Sequence, residues 1–198
     1  MTNLADRPTS SRGDRRREQL VLTGITLLGQ EGWPGVTTRA VAERAGTNPG
    51  LIHYHFGGLA GLHAAIFRRA TDLVISPLLT ELLGVEDERA ALRMMRDTLP
   101  HASGDERTTR LAAELIVGAT RDPALGAVLR DELRLVRAQV ADRLGLLHPG
   151  WPAARREGAA TLIVAAIDGL MLHRMVDADL PMDQALSAAE DLLGDDAP

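Results

Sequence analysis

Apolar residues recur every three or four positions along most of this chain, and nowhere do they alternate with polar ones long enough to mark a strand. Leu20, Val21, Ile25 and Leu28 set out the first such run, which opens near Asp14 and is stopped by Gly32 and Pro34-Gly35. "TTRAVAERAG" reads as a compact second helix with Thr37 as N-cap, Val41 and Ala42 turned inward and Gly46 as its end. "TNPGLIHYHF" makes a very short third helix. Asn48 caps it, and Pro49 takes the first helical position, where a missing N–H costs nothing. Gly57-Gly58 breaks the chain before a longer fourth helix over about Leu59 to Leu83. Helical patterning then continues to the end. "EDERAALRMMRDTLPH" is expected to stop near Pro100, and "DERTTRLAAELIVGAT" follows it. "DPALGAVLRDELRLVRAQVADRLGLL" carries Asp122 as N-cap and Pro123 at the first position; "PAARREGAATLIVAAIDGLMLHRMV" and "PMDQALSAAEDLLG" complete the set. The expected fold is all-α with about nine helices. Residues 1–13 read as a disordered arm, 14–58 as a three-helix domain and 59–198 as a second helical domain.

Three helices within so short a span, with the second and third joined at a glycine, match a helix-turn-helix, whose second helix offers its N-terminal residues to the major groove. Gly46 permits the turn, while Val41, Ala42, Ala45 and Ile52 form a small core. Gly50 keeps the start of the third helix slim, and free N–H groups near Thr37-Thr38 and Asn48 are natural phosphate seats.

Charge supports that reading. The 22 basic residues are all arginine, so the chain has no lysine. A net charge of -5 conceals nine Arg against five Asp/Glu in residues 1–70, a balance of +4, and thirteen Arg against 22 Asp/Glu in 71–198, a balance of -9. A basic N-terminal module joined to an acidic remainder suits contact of the first part with a polyanion. The absence of cysteine removes disulfides and thiolate chemistry. No uninterrupted apolar run reaches the ~20 residues of a membrane span, and no signal-like segment opens the chain, so a cytosolic protein is expected.

The run "TTRAVAERAGTNPGLIHYHFGGLAGL" resembles the DNA-binding domain of TetR-type transcriptional regulators. The resemblance rests on Thr37, Val41-Ala42, Ala45-Gly46, Gly50, Ile52, His55-Phe56 and Leu62 at the family spacing, and covers about residues 15–70. "DPALGAVLRDELRLVRAQVADRL" and "AAIDGLMLHRMV" also resemble the ligand-binding domain of one subgroup. The resemblance implies that Arg39 touches a base, that Thr37, Thr38, Asn48, His53, Tyr54 and His55 hold phosphates or sugars, and that Pro49, Gly50 and Leu51 lie at the groove floor. Phe56 is expected in the core. Two positions depart from the pattern: His53 stands where the family has a tyrosine, with Tyr54 one place later, and Leu59 stands where it has a lysine. Arg12, Arg15 and Arg16 are positioned to add charge from the arm.

Other chemistry finds little footing. His53 and His55 are two residues apart, so on a helix they point roughly 200° away from each other and cannot share a metal. His101, His148 and His173 are isolated and read as capping or partly buried histidines. No nucleophile elbow or phosphate loop is present, so neither an enzyme nor a cofactor is implied. In the second domain, Met94, Met95, Leu99, Glu114, Leu115 and Met171 are candidates to line an effector pocket, although ordinary core packing explains the methionines equally well. By resemblance, the most apolar helix pairs with its copy in a homodimer through Ala165, Asp168, Gly169 and Leu172. Asp168 should there find Arg174, a backbone N–H or a donor from the partner chain. The implied function is a ligand-responsive regulator of a near-palindromic double-stranded DNA operator. The competing reading is a helical ligand- or partner-binding protein with weakened DNA binding.

Overall fold

A computed structural model describes residues 11–104 and 106–194, which form nine helices and no strand. In chain order these are α1 (Ser11–Gly35), α2 (Thr38–Arg44), α3 (Gly50–Phe56), α4 (Leu59–Gly84), α5 (Glu88–Gly104), α6 (Glu106–Arg121), α7 (Pro123–Leu147), α8 (Ala153–Val176) and α9 (Met182–Gly194). Two compact units divide after Ala70, so α4 belongs partly to each. Of the expected arm, residues 1–10 lie outside the described residues, while Ser11–Gly13 already form the start of α1.

The first unit closes around Leu20, Ile25 and Leu28 of α1, Val41 and Ala42 of α2, Ile52 of α3, and Leu62, Ile66 and Phe67 of α4, all buried. Helix α1 kinks at Gly32 (φ 69°), which turns Trp33 onto α4. Trp33 stacks on Phe67 with ring centroids 6.2 Å apart and meets His63 edge-on at 5.0 Å. The Nε2 of His63 hydrogen-bonds the Val36 carbonyl at 2.8 Å. His63 is therefore scaffold, although in sequence it adjoins the His53–His55 cluster. These contacts explain why the unit runs to Ala70 instead of ending at residue 58: the first three turns of α4 complete its core. Two glycines are dictated by geometry. Gly46 turns the chain between α2 and α3 at φ 61°, and a Cβ on Gly61 would strike the Phe56 carbonyl oxygen.

The second unit has its own core, in which Leu92, Met95 and Leu99 of α5 meet Val136, Val140 and Leu144 of α7, Val164 and Ile167 of α8, and Leu186 of α9. Helix α7 begins as expected, with the Asp122 carboxylate accepting from the Ala124 N–H at 2.8 Å. Helix α5 does not stop at Pro100 but continues to Gly104. A proline deletes one intrahelical hydrogen bond, and burial of Met95 and Leu99 on the preceding turns offsets that loss. At the end of α7, His148 is the C-cap and pairs through Nε2 with Glu88, while Arg143 donates to the Val85 carbonyl. His173 is exposed, and the side chain of His101 lies outside the described residues.

Helix α8 amends one expectation. Its 24 residues contain a window of mean hydropathy 1.5, enough by length and composition to cross a membrane. Asp168 and Arg174 hide this from a search for an uninterrupted run. Ala160, Val164 and Ile167 face the core, while Leu162 (73% exposed), Leu172 and Val176 (87% exposed) point away from it. Asp168 flanks the outward face. Desolvation by the surrounding protein raises its pKa, and the charge of Arg137 on α7 opposes the shift. The cation that acts on it is thus Arg137, across the α7–α8 contact.

Two predictions follow from this packing. Gly61→Ala should destabilise the protein by about 1–3 kcal/mol, because backbone must move to admit the methyl group. Gly29→Ala, with nothing within 4 Å of the new Cβ, should stabilise by about 0.5–1 kcal/mol. Equal midpoint shifts in urea unfolding would contradict the contact drawn at Gly61. For Asp168, a folded pKa above the ordinary 3.8 means the native state binds the proton more tightly. Stability therefore falls as pH rises from about that value through the raised one. Asp168→Asn should raise the thermal midpoint near neutral pH, with the gap to wild type closing toward the ordinary carboxyl range; a gap independent of pH would refute it.

Candidate nucleic-acid interface

The first turn of α2 and the outward side of α3 form one exposed surface of the first unit. Thr37 is extended (φ -108°, ψ 159°), and its hydroxyl oxygen accepts from the Ala40 N–H at 3.1 Å. That leaves the Thr37 O–H as a donor, and leaves the Thr38 and Arg39 N–H groups without intrahelical acceptors. Thr38 is half-buried and Arg39 exposed. Among the described residues Arg39 has no ion-pair partner, whereas Arg44 lies 3.9 Å from Glu31 and Arg69 lies 3.3 Å from Glu18. A planar guanidinium without a competing carboxylate is suited to two parallel hydrogen bonds, as guanine O6/N7 requires.

Helix α3 starts as its sequence proposes. The Asn48 Oδ1 accepts from the Gly50 N–H at 2.8 Å, and Pro49 is already helical (φ -53°, ψ -27°). Leu51 and Ile52 donate to the Asn48 and Pro49 carbonyls at 3.0 Å each, a tight first turn. Ile52 is fully buried, and this single anchor decides which way the helix faces. Asn48, Pro49, Gly50 and His53 are exposed, Leu51 and His55 half-buried, and Tyr54 is 81% exposed.

Phe56 corrects the expectation of a core residue. It is half-buried, and the Arg17 guanidinium sits 5.1 Å from its ring centroid. Sequence offered no signal for that lid, since Arg17 lies 39 positions earlier and looks like one more charge of the basic arm. Leu59 opens α4 beside this surface and is 37% exposed, so the departure from the family's lysine is a real loss of exposed charge.

The remaining candidates all lie in the second unit. Met95 and Leu99 are buried in its main core cluster, with Met94 and Met171 packed against it. Leu115 is buried on α6 outside that cluster, and Glu114 beside it is half-buried. Ala165 and Leu172 are exposed and Gly169 half-buried on the outward face of α8, with Asp168 at its edge.

With this geometry in hand, comparisons with known proteins are informative. Residues 20–66 match the bacterial regulatory proteins of the tetR family, and residues 87–195 match the C-terminal domain of BetI-type transcriptional repressors. The HTH-type transcriptional regulator BetI of Burkholderia mallei is 27% identical over 188 residues, covering 90% of this chain and 91% of its own. A putative transcriptional regulator of Streptomyces coelicolor, SCO7518, superposes with a TM-score of 0.71 at 26% identity over 88% of this chain and 95% of its own. A putative regulator of Saccharomonospora viridis, solved in complex with choline, gives a TM-score of 0.67 at 20% identity over 92% of this chain and 97% of its own. The second match alone spans more than half of the sequence, and the first falls on the helix-turn-helix: the chain belongs to the TetR family of transcriptional regulators, with a BetI-type C-terminal domain.

Proposed function

We propose that this protein is a dimeric repressor that places α3 of each protomer in adjacent major grooves of a near-palindromic operator and leaves DNA when a small molecule enters its second unit. The carrying observation is the exposed Arg39, without an ion-pair partner among the described residues, beside an α3 whose start is held by Asn48 and whose His53 and Tyr54 are exposed. Thr37, Thr38, Asn48, His53, Tyr54 and His55 hold the phosphate–sugar backbone, and Pro49, Gly50 and Leu51 approach the groove floor. The outward face of α8, with Ala165, Gly169 and Leu172, receives its copy, and Asp168 borders that seam. Such a regulator works in the bacterial cytoplasm, where the chromosome lies.

Operators selected from genomic DNA with the purified protein test this reading. Arg39→Ala should weaken the selected duplex by about 1–3 kcal/mol while changing non-specific binding much less. Equal loss on both would make Arg39 a phosphate contact. A second reading, a ligand- or partner-binding protein with little DNA affinity, is favoured by Leu59 and by the modest +4 balance of residues 1–70; an intact dimer that retards no duplex at low salt would establish it.

The effector enters among the middle helices, where Met94, Met95, Leu99, Leu115 and Met171 supply an adaptable apolar lining and Glu114 a polar anchor. The choline-bound neighbour invites the idea of a quaternary ammonium ligand. Against it stands the aromatic inventory: Trp151 is the sole Trp, Tyr or Phe after residue 70. His148 lies parallel to its ring at 4.0 Å and the Arg155 guanidinium at 4.2 Å, and two groups so close to one centroid must occupy opposite faces. No open aromatic face is left to receive a cation. Choline should therefore neither release the operator complex nor give saturable heat in titration calorimetry. Saturable binding at micromolar concentration would contradict this.

A further inference from the structure

We infer that this protein takes up protons as it binds DNA, with His53 and His55 of α3 as the acceptors; the inference rests on the reading of α3 as the groove-facing helix. The motivating fact is what α3 lacks. Gly50–Phe56 contains no arginine, the chain contains no lysine, and the family's lysine just beyond is Leu59. The two imidazoles are the only groups on this helix that can become cations.

Their placement suits the task. With Ile52 buried, helical geometry sends Tyr54 to the opposite, outward side and puts His53 and His55 on the two flanks between. A helix seated in the major groove runs between the two phosphate strands, so imidazoles on its flanks are within reach of phosphate. His53 is exposed, its ring edge close to the backbone of Gly58, and His55 is half-buried with its ring edge-on to Tyr54 at 5.0 Å and to Phe56 at 6.2 Å. Among the described residues neither imidazole has an ion-pair partner. The charged groups on the elements packed around α3 are Arg39, Glu43 and Arg44 of α2, with Arg44 near Glu31, and Arg17 of α1, held over Phe56. Leu59–Leu62 of α4 carry no charge.

A phosphodiester, anionic at every pH the protein tolerates, favours the protonated form of an imidazole beside it. The DNA complex then holds more protons than the free protein, so affinity rises as pH falls through neutrality. Each imidazolium that neutralises a phosphate also adds about 0.9 to the slope of log affinity against log salt. The pH response and the salt response are therefore coupled, which fixed arginine contacts do not produce.

The test uses the full-length dimer and its selected duplex, with fluorescence anisotropy over a salt series at about pH 6 and about pH 8. Wild type should bind roughly tenfold or more tightly at the lower pH and show a steeper salt slope there. His53→Gln/His55→Gln should give the same slope at both, with each single variant in between. Calorimetry of wild type in two buffers of different ionisation enthalpy reads the proton uptake directly and needs no variant. A pH-independent wild-type affinity would overturn the proposal, as would a pH response that survives in the double variant. Absence of duplex binding at either pH would remove the DNA-binding reading itself, and this proposal with it.

Discussion

The close seating of α3 against the start of α4 is the constraint on which the proposed DNA-facing surface depends. Seven residues are too few for a helix to persist by itself, so the direction of α3 comes from outside it. Ile52 anchors one side, and the Phe56 carbonyl lies so near Gly61 that even a methyl group is excluded. Helix α4 is in turn fixed to α1 by the Trp33–His63–Phe67 stack and by the Ile66 side chain, which fills the space that a Cβ on Gly24 would need. A turn of α4 about its axis is thus carried directly into α3. Helix α4 continues as one helix to Gly84 and so contributes residues to both units.

Charge accounting along the chain and charge presentation at the surface are different quantities. The +4 balance of residues 1–70 counts every arginine alike, but Arg17 lies over Phe56, Arg44 is near Glu31 and Arg69 is held by Glu18. Those three stabilise the unit modestly, as exposed pairs do, and are not free to meet phosphate at no cost. Arg39 is different in having no such engagement among the described residues. The proposed DNA-facing surface is therefore less basic than the sequence total suggests, and in that reading its hydroxyl, amide and imidazole groups become correspondingly more important.

What sequence made legible was local. The caps at Thr37, Asn48 and Asp122 depend on a side chain and an N–H two or three residues away, and all three appear with the expected partners. The helix-turn-helix is equally compact, since Val41, Ala42, Ala45 and Ile52 lie within a dozen positions and are all buried. What stayed hidden joins distant positions. Nothing near Phe56 announces Arg17, nothing near Asp168 announces Arg137, and nothing near His63 announces the Val36 carbonyl. Pro100 misled for a related reason: the local rule ends the helix, while tertiary burial of the preceding turns carries it on. The same limit applies to the proposed effector residues, whose role depends on which helices enclose them.

Helix α8 shows how composition and pattern answer different questions. Hydropathy alone makes it a membrane-length segment, but its two faces differ in kind. One side carries Ala160, Val164 and Ile167 into a protein core. The other presents Gly158, Leu162, Ala165, Gly169, Leu172 and Val176, at alternating steps of four and three residues. Lipid imposes no such period. A second helix crossing at a shallow angle does, because its side chains must fall into successive holes, and small residues let the backbones approach. Asp168 at the edge of this seam is compatible with a protein partner offering donors and far costlier against hydrocarbon. The apolar excess of α8 is thus better matched by the copy of this helix in the proposed dimer than by a bilayer.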